Sequence, residues 1–125
     1  MTVDAWRKRV GSFACAFAGI GTLILTQPNA RIHLAATIVV FAGAFLSGLS
    51  GLEWCVIIIT VVVVWAAEAL NTALEQLADA ATLQFHPLVK KAKDVAAGGV
   101  LIAAAGSVIV GIIVFGPRIL SLLKN

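Results

Sequence analysis

Four polar side chains recur within an otherwise apolar stretch: Glu68, Asn71, Glu75 and Asp79. On a helix the last three fall at about 300°, 340° and 20° from the first, so all four share one face. Ala69, Leu70, Ala73, Leu77 and Ala80 occupy the opposite side. Downstream lies a second cluster, Gln84-Phe85-His86, then Lys90, Lys91, Lys93 and Asp94. Carboxylates that meet a lysine cluster suit a divalent metal with a polyphosphate. Mg²⁺ takes one or two carboxylates plus phosphate oxygens, and Lys neutralises the remaining charge. The usual soluble nucleotide motifs are missing. No GxxxxGK[ST] occurs, Gly19-Ile-Gly21 lacks the third glycine of a dinucleotide fingerprint, and there is no nucleophile elbow or HExxH.

The elements that must position these groups are set by composition. Of 125 residues, 61% are apolar and 12% charged, and the mean hydropathy is +1.04. Soluble domains carry about 25% charged residues. That scarcity excludes a soluble globule or a disordered tail and leaves a small integral membrane protein of one domain, residues 1–125. The net charge of +3 does not form a basic stripe with interleaved aromatics, so no nucleic-acid partner is expected. Cys15 and Cys55 have no CxxC spacing and read as packing residues.

Three membrane-spanning helices are predicted, over about 32–50, 53–79 and 94–117. The second reaches the ~20 residues of a span only by continuing through Glu68. Its β-branched run Val56–Val64 would leave backbone groups unpaired as a lone strand in lipid, so a helix is expected. Residues 4–26 open with Arg7-Lys8-Arg9 and continue into an apolar run without a small-x-small cleavage site. They read as an interfacial amphipathic helix on the membrane surface. With the N-terminus inside, Arg7, Lys8, Arg9, Arg31, Lys90, Lys91 and Lys93 are cytoplasmic, seven of the nine cations. Ser47–Gly51 is then an external turn. Glu68 lies about 21 Å along the helix from Trp54, in the cytoplasmic half of the bilayer. A carboxylate there is costly unless it meets a partner or water. Small residues recur every four positions at Gly43, Ser47 and Gly51, and at Gly99, Ala103, Ser107 and Gly111. This spacing permits close helix approach, and so thin a bundle is expected to self-associate.

The ordered series Glu68-x-x-Asn71-Thr-Ala-x-Glu75, Asp79, His86-Pro-Leu and Ala92-Lys93-Asp94-x-Ala-Ala-Gly98 resembles the signature of the prokaryotic diacylglycerol kinase/undecaprenol kinase family. Ser12-Phe13, Gly19 and Gln27-Pro-Asn29-Ala-Arg31-Ile-His33 also match its pattern, so the resemblance covers about residues 7 to 117. It implies an all-α homotrimer of three-span subunits, each with a surface helix, in the bacterial cytoplasmic (inner) membrane with its active site on the cytoplasmic side. The implied activity is transfer of the γ-phosphoryl group of ATP, with Mg²⁺, to a membrane lipid hydroxyl. By resemblance Glu68 is the catalytic base, Glu75 a metal ligand, and Asn71 and Asp79 positioning groups. Lys93 and Asp94 contact the nucleotide, with Glu75, Gln84, Phe85, His86 and the basic Lys8 and Arg9 nearby. Asn29 and Arg31 lie near the lipid or phosphate end. Gln27 stands where many members carry a second metal-binding Glu; its amide oxygen can coordinate Mg²⁺ but brings no charge. Partial desolvation at the depth of Glu68 suits a general base, and Glu75 lies about 10 Å nearer the cytoplasm, where the nucleotide arrives. His86-Pro-Leu and Asn71-Thr72 favour undecaprenol over diacylglycerol as acceptor within the resemblance. The other readings are a small proton-coupled transporter using Glu68, and an inactive membrane scaffold that has lost a metal ligand at Gln27.

Overall fold

The computed structural model describes residues 3–82 and 84–124, with side chains from Trp6 onward. These residues form four helices: α1 (Val3–Thr26), α2 (Pro28–Leu46), α3 (Gly51–Ala81) and α4 (Pro87–Leu123). All four are long and apolar enough to cross a membrane. The chain is thus an all-helical membrane protein. The N-terminal helix meets the same length and hydropathy criterion as the other three.

The breaks between helices follow from local chemistry. Gln27 is extended (φ −101°, ψ 118°) and separates α1 from α2, whose first turn opens with Pro28. Proline is preorganised for that place and lacks the N–H that would otherwise be unpaired. α2 ends at Leu46, short of the predicted span limit at residue 50, because Gly48 turns the chain at φ +58°. Ser50 then caps α3: its hydroxyl accepts from Glu53 N, and its backbone N–H donates to the Glu53 carboxylate. This reciprocal capping box pairs two of the helix's free donors. α4 opens at Pro87, with His86 as N-cap.

α3 and α4 form the principal antiparallel pair, with α2 and then α1 laid against α3. At 1.5 Å per residue α3 is about 46 Å long and α4 about 55 Å, against a hydrocarbon core of ~30 Å. The pair is therefore longer than the hydrocarbon is thick, and the polar stripe runs along α3 towards its C-terminal end. The chain's own core is small: Leu23, Ala30, Ala44, Ile57, Val64 and Val114. Large apolar residues such as Phe45, Ile102 and Ile113 face outward, as lipid contact requires. Along the α2–α3 seam, Trp54 stacks on Phe41 (6.0 Å) and meets Phe45 edge-on (4.8 Å). About three turns further along α3, Trp65 Nε1 donates to Thr37 Oγ1 at 3.0 Å.

The end of the bundle away from the polar stripe is closed by Arg118. Its guanidinium donates from Nη1 and Nη2 to the two Glu53 carboxylate oxygens at 2.8 and 2.9 Å, and from Nε to the Ser47 carbonyl at 3.2 Å. One side chain of α4 thus ties the α2–α3 turn to the first turn of α3. Bidentate charge-assisted bonds of this kind are among the stronger polar contacts. Glu53→Gln removes the charge from this bidentate contact and is expected to lower the thermal unfolding midpoint in detergent; an unchanged midpoint would show that the clamp contributes nothing.

Candidate functional site

The predicted stripe on α3 lies along two successive clefts. Glu68 is the most enclosed large side chain of the described residues, 1% exposed, and Asn71 is also buried. With Glu75 they line a cleft of about 300 Å³, closed by Asn29 and His33 of α2 and by Ala97, Val100, Leu101 and Ala104 of α4. Asn71 Nδ2 donates to Glu75 Oε1 at 3.3 Å, an i to i+4 bond along the stripe. His33 Nε2 lies 3.8 Å from Glu68 Oε2. That carboxylate oxygen and Asn71 Oδ1 are buried without hydrogen-bond partners. Two unpaired acceptors at one cleft are costly in a site with nothing bound and are available to a donor or a cation that enters it.

The second cleft, about 460 Å³, opens where α3 gives way to α4. Asp79, Gln84, Phe85, His86, Lys93 and Asp94 all line it, so the structure gathers five of the eight residues assigned to the nucleotide by resemblance, together with the positioning residue Asp79, while Lys8, Arg9 and Glu75 do not line it. Lys93 Nζ bonds Asp79 Oδ1 at 2.8 Å, and Lys90 Nζ bonds Asp94 Oδ2 at 2.7 Å. These pairs are largely exposed, and such pairs are worth under about 1 kcal/mol, so either lysine can turn to a phosphate at little expense. His86 is oriented by its capping duty, with Nδ1 accepting from Leu88 N at 3.3 Å. Phe85 is exposed, a free aromatic face at the rim. The cleft volume falls within the range of small-molecule sites.

On the other side of Glu68, a third cavity of about 110 Å³ runs between α2, α3 and α4. Its wall is mainly apolar, with Val40, Ile57, Val61, Val64 and Phe115, and Thr37, Thr60 and Ser107 also line it. Val64 is one helical turn from Glu68, so the buried carboxylate stands between an apolar cavity in the bundle and the polar clefts.

Not every predicted residue joins these clefts. Arg31 uses its guanidinium to donate to the Ile24 and Leu25 carbonyls, which α1 leaves unpaired at its C-terminus. It therefore fixes the α1–α2 corner. Gln27 is half-buried in the same corner, its Nε2 3.5 Å from Thr26 Oγ1, and it does not line the cleft of Glu68. Lys8 and Arg9 are exposed on α1 and line none of the three cavities. Among the described residues no group of three or more His, Cys, Asp or Glu side chains forms a ready metal cage. Conversely, the sequence reading gave His33 and Lys90 no site role. A signal for His33 was present: Asn29, His33 and Thr37 are spaced by four and put a polar stripe on α2, which the structure turns towards α3.

Comparison with known proteins adds an independent line. The profile of the prokaryotic diacylglycerol kinase family matches residues 14–115. An undecaprenol kinase of Bacillus subtilis is 40% identical over 108 residues, covering 86% of this chain and 88% of that protein. A diacylglycerol kinase of Synechocystis sp. is 42% identical over 124 residues, covering 96% of this chain and 71% of that protein.

Proposed function

The chain belongs to the prokaryotic diacylglycerol kinase family and is an ATP-dependent lipid kinase; we propose that its acceptor is undecaprenol and that the α3 stripe carries the chemistry. The observation that supports this most is the position of Glu68. It is a buried carboxylate with a free oxygen, between an apolar cavity and a polar cleft that leads on to Lys93. A lipid alcohol enters with its chain against Val64 and Val61 and its hydroxyl at Glu68. The nucleotide occupies the outer cleft.

In this reading Glu68 takes the proton of the lipid hydroxyl as that oxygen forms a bond to the γ-phosphorus. The bond from the γ-phosphorus to the β,γ-bridging oxygen breaks, and ADP leaves with the electron pair. Lys93 leaves Asp79 to neutralise the phosphate charge, and Asp94 and the Gln84–His86 segment hold the nucleotide. Phosphoryl transfer asks little of a protein beyond such positioning and charge stabilisation. The residues present fit a Mg²⁺ ion that arrives with ATP: the Glu75 carboxylate and the unpartnered Asn71 Oδ1 are hard oxygen donors on one cleft. Mg²⁺ usually keeps several waters and phosphate oxygens, so the lack of a full protein cage is compatible with it. Bound there, it would neutralise charge on the phosphates. Gln27 lies at the α1–α2 corner, where it would need to turn from Thr26 to reach the metal.

The cytoplasmic orientation rests on the lysine and arginine distribution. α1 faces α3 across a cleft of about 400 Å³, with Ala16, Gly19, Thr22 and Leu23 on one side and Ala69, Thr72, Ala73 and Gln76 on the other. That is the height of the polar stripe, which supports an interfacial position for this helix. A homotrimer is supported by the family resemblance and by the spacing of Gly99, Ala103, Ser107 and Gly111, which lets a partner helix approach α4 closely in this reading.

Two measurements test the proposal. Purified protein in mixed micelles with labelled ATP and Mg²⁺ should phosphorylate undecaprenol faster than diacylglycerol at matched mole fraction; the reverse order would reassign the acceptor. Gln27→Glu supplies a second carboxylate, so its half-saturating Mg²⁺ concentration should fall by about threefold or more. An unchanged Mg²⁺ dependence would place residue 27 outside the metal's coordination.

A further inference from the structure

Glu68 Oε2 has no hydrogen-bond partner, although the side chain is 1% exposed. The cleft holds several donors, and none of them bonds this oxygen. Asn71 gives one amide N–H to Glu75 and keeps a second, and Asn29 also lines the cleft. Lys93 is held by Asp79 and Arg31 by the end of α1. The α4 wall is Ala97, Val100, Leu101 and Ala104, which offers no polar side chain. His33 alone brings a titratable donor, Nε2 at 3.8 Å, from a ring that is itself 16% exposed.

We propose that His33 is a positioning residue for the lipid kinase reaction, its Nε2–H donating to Glu68 Oε2 and so aiming the other carboxylate oxygen at the acceptor hydroxyl. The inference rests on the reading of Glu68 as the base. A carboxylate free to rotate presents either oxygen in several directions; tied through Oε2, it presents one. The gap closes to hydrogen-bond length with a shift of under about 1 Å. Such contacts are commonly long in an empty site and tighten when substrate is bound. The backbone already fixes the height of the ring. Thr37, one turn along α2, donates its hydroxyl to the His33 carbonyl at 2.7 Å and accepts from Trp65 Nε1, three residues before Glu68. The Trp65–Thr37 bond thus locks the register that sets imidazole opposite carboxylate. Supporting partners of this kind typically hold a functional group within the ~0.5 Å that catalysis tolerates.

His33→Leu and His33→Gln separate this role from packing, since the glutamine amide restores an N–H donor near the place of Nε2. Steady-state kinetics with ATP and lipid varied in turn should show His33→Leu lowering kcat by roughly 10- to 100-fold, with KM for ATP changed by less than about threefold. His33→Gln should recover most of that loss, with both variants keeping the parent's thermal midpoint. His33→Leu with near-parent kcat, or His33→Gln as slow as His33→Leu, would overturn the proposal. So would a loss that appears only in KM for ATP. Glu68→Gln assayed alongside distinguishes the two levels: an active Glu68→Gln removes the base reading, whereas an inactive Glu68→Gln with an unaffected His33→Leu removes the His33 pairing alone.

Discussion

A carboxylate inside a membrane bundle must be partnered or be reached by water, and the fold is organised around meeting that demand at Glu68. Burying an unpartnered charge is among the most expensive things a membrane helix can do. α3 therefore does not carry Glu68 alone. α2 sets Asn29 and His33 opposite it, the Thr37–Trp65 bond fixes the register between the two helices, and α4 presents only small or apolar side chains to the cleft. Among the residues that line the cleft, the carboxylate faces one imidazole and no lysine or arginine.

The same helix converts depth into chemical sequence. Moving along α3, Val64 lines a mainly apolar cavity, Glu68, Asn71 and Glu75 line the cleft shared with Asn29 and His33, and Asp79 lines the cleft at the start of α4. In the proposed reading a lipid substrate and a water-soluble one meet on this single helix without either leaving its own phase. The length of α3 and α4 beyond the hydrocarbon makes this possible, and the Arg118–Glu53 clamp anchors the far end of the same pair. Site and anchor lie at opposite ends of one antiparallel pair, so the clamp secures the helices on whose alignment the clefts depend.

Much of this was legible in the sequence, for a physical reason. Within one helix, spacing determines face, so Glu68, Asn71, Glu75 and Asp79 could be placed together before any packing was known. That Lys93 and Asp79 lie at the same end of the bundle followed from antiparallel helices joined by a short connection; their pairing is a matter of register that only the structure gives. The turn at Gly48 shortened α2 relative to the hydropathy run, because apolarity does not encode a positive φ. What spacing cannot give is the register between helices. His33 opposite Glu68, and Arg118 reaching back to Glu53 and Ser47, depend on how α2 and α4 slide against α3. Arg31 illustrates the converse: its charge suggested a phosphate, but the unpaired carbonyls ending α1 lie closer and bind it.

The central claim is that the buried carboxylate of α3 is the base for phosphoryl transfer to a lipid alcohol. Its most direct test is single-turnover transfer of labelled γ-phosphate to undecaprenol by Glu68→Gln, with ATP binding measured on the same preparation. The account predicts that transfer slows by about 100-fold or more while ATP binds as it does to the parent protein. Transfer at the parent rate with ATP bound would contradict it.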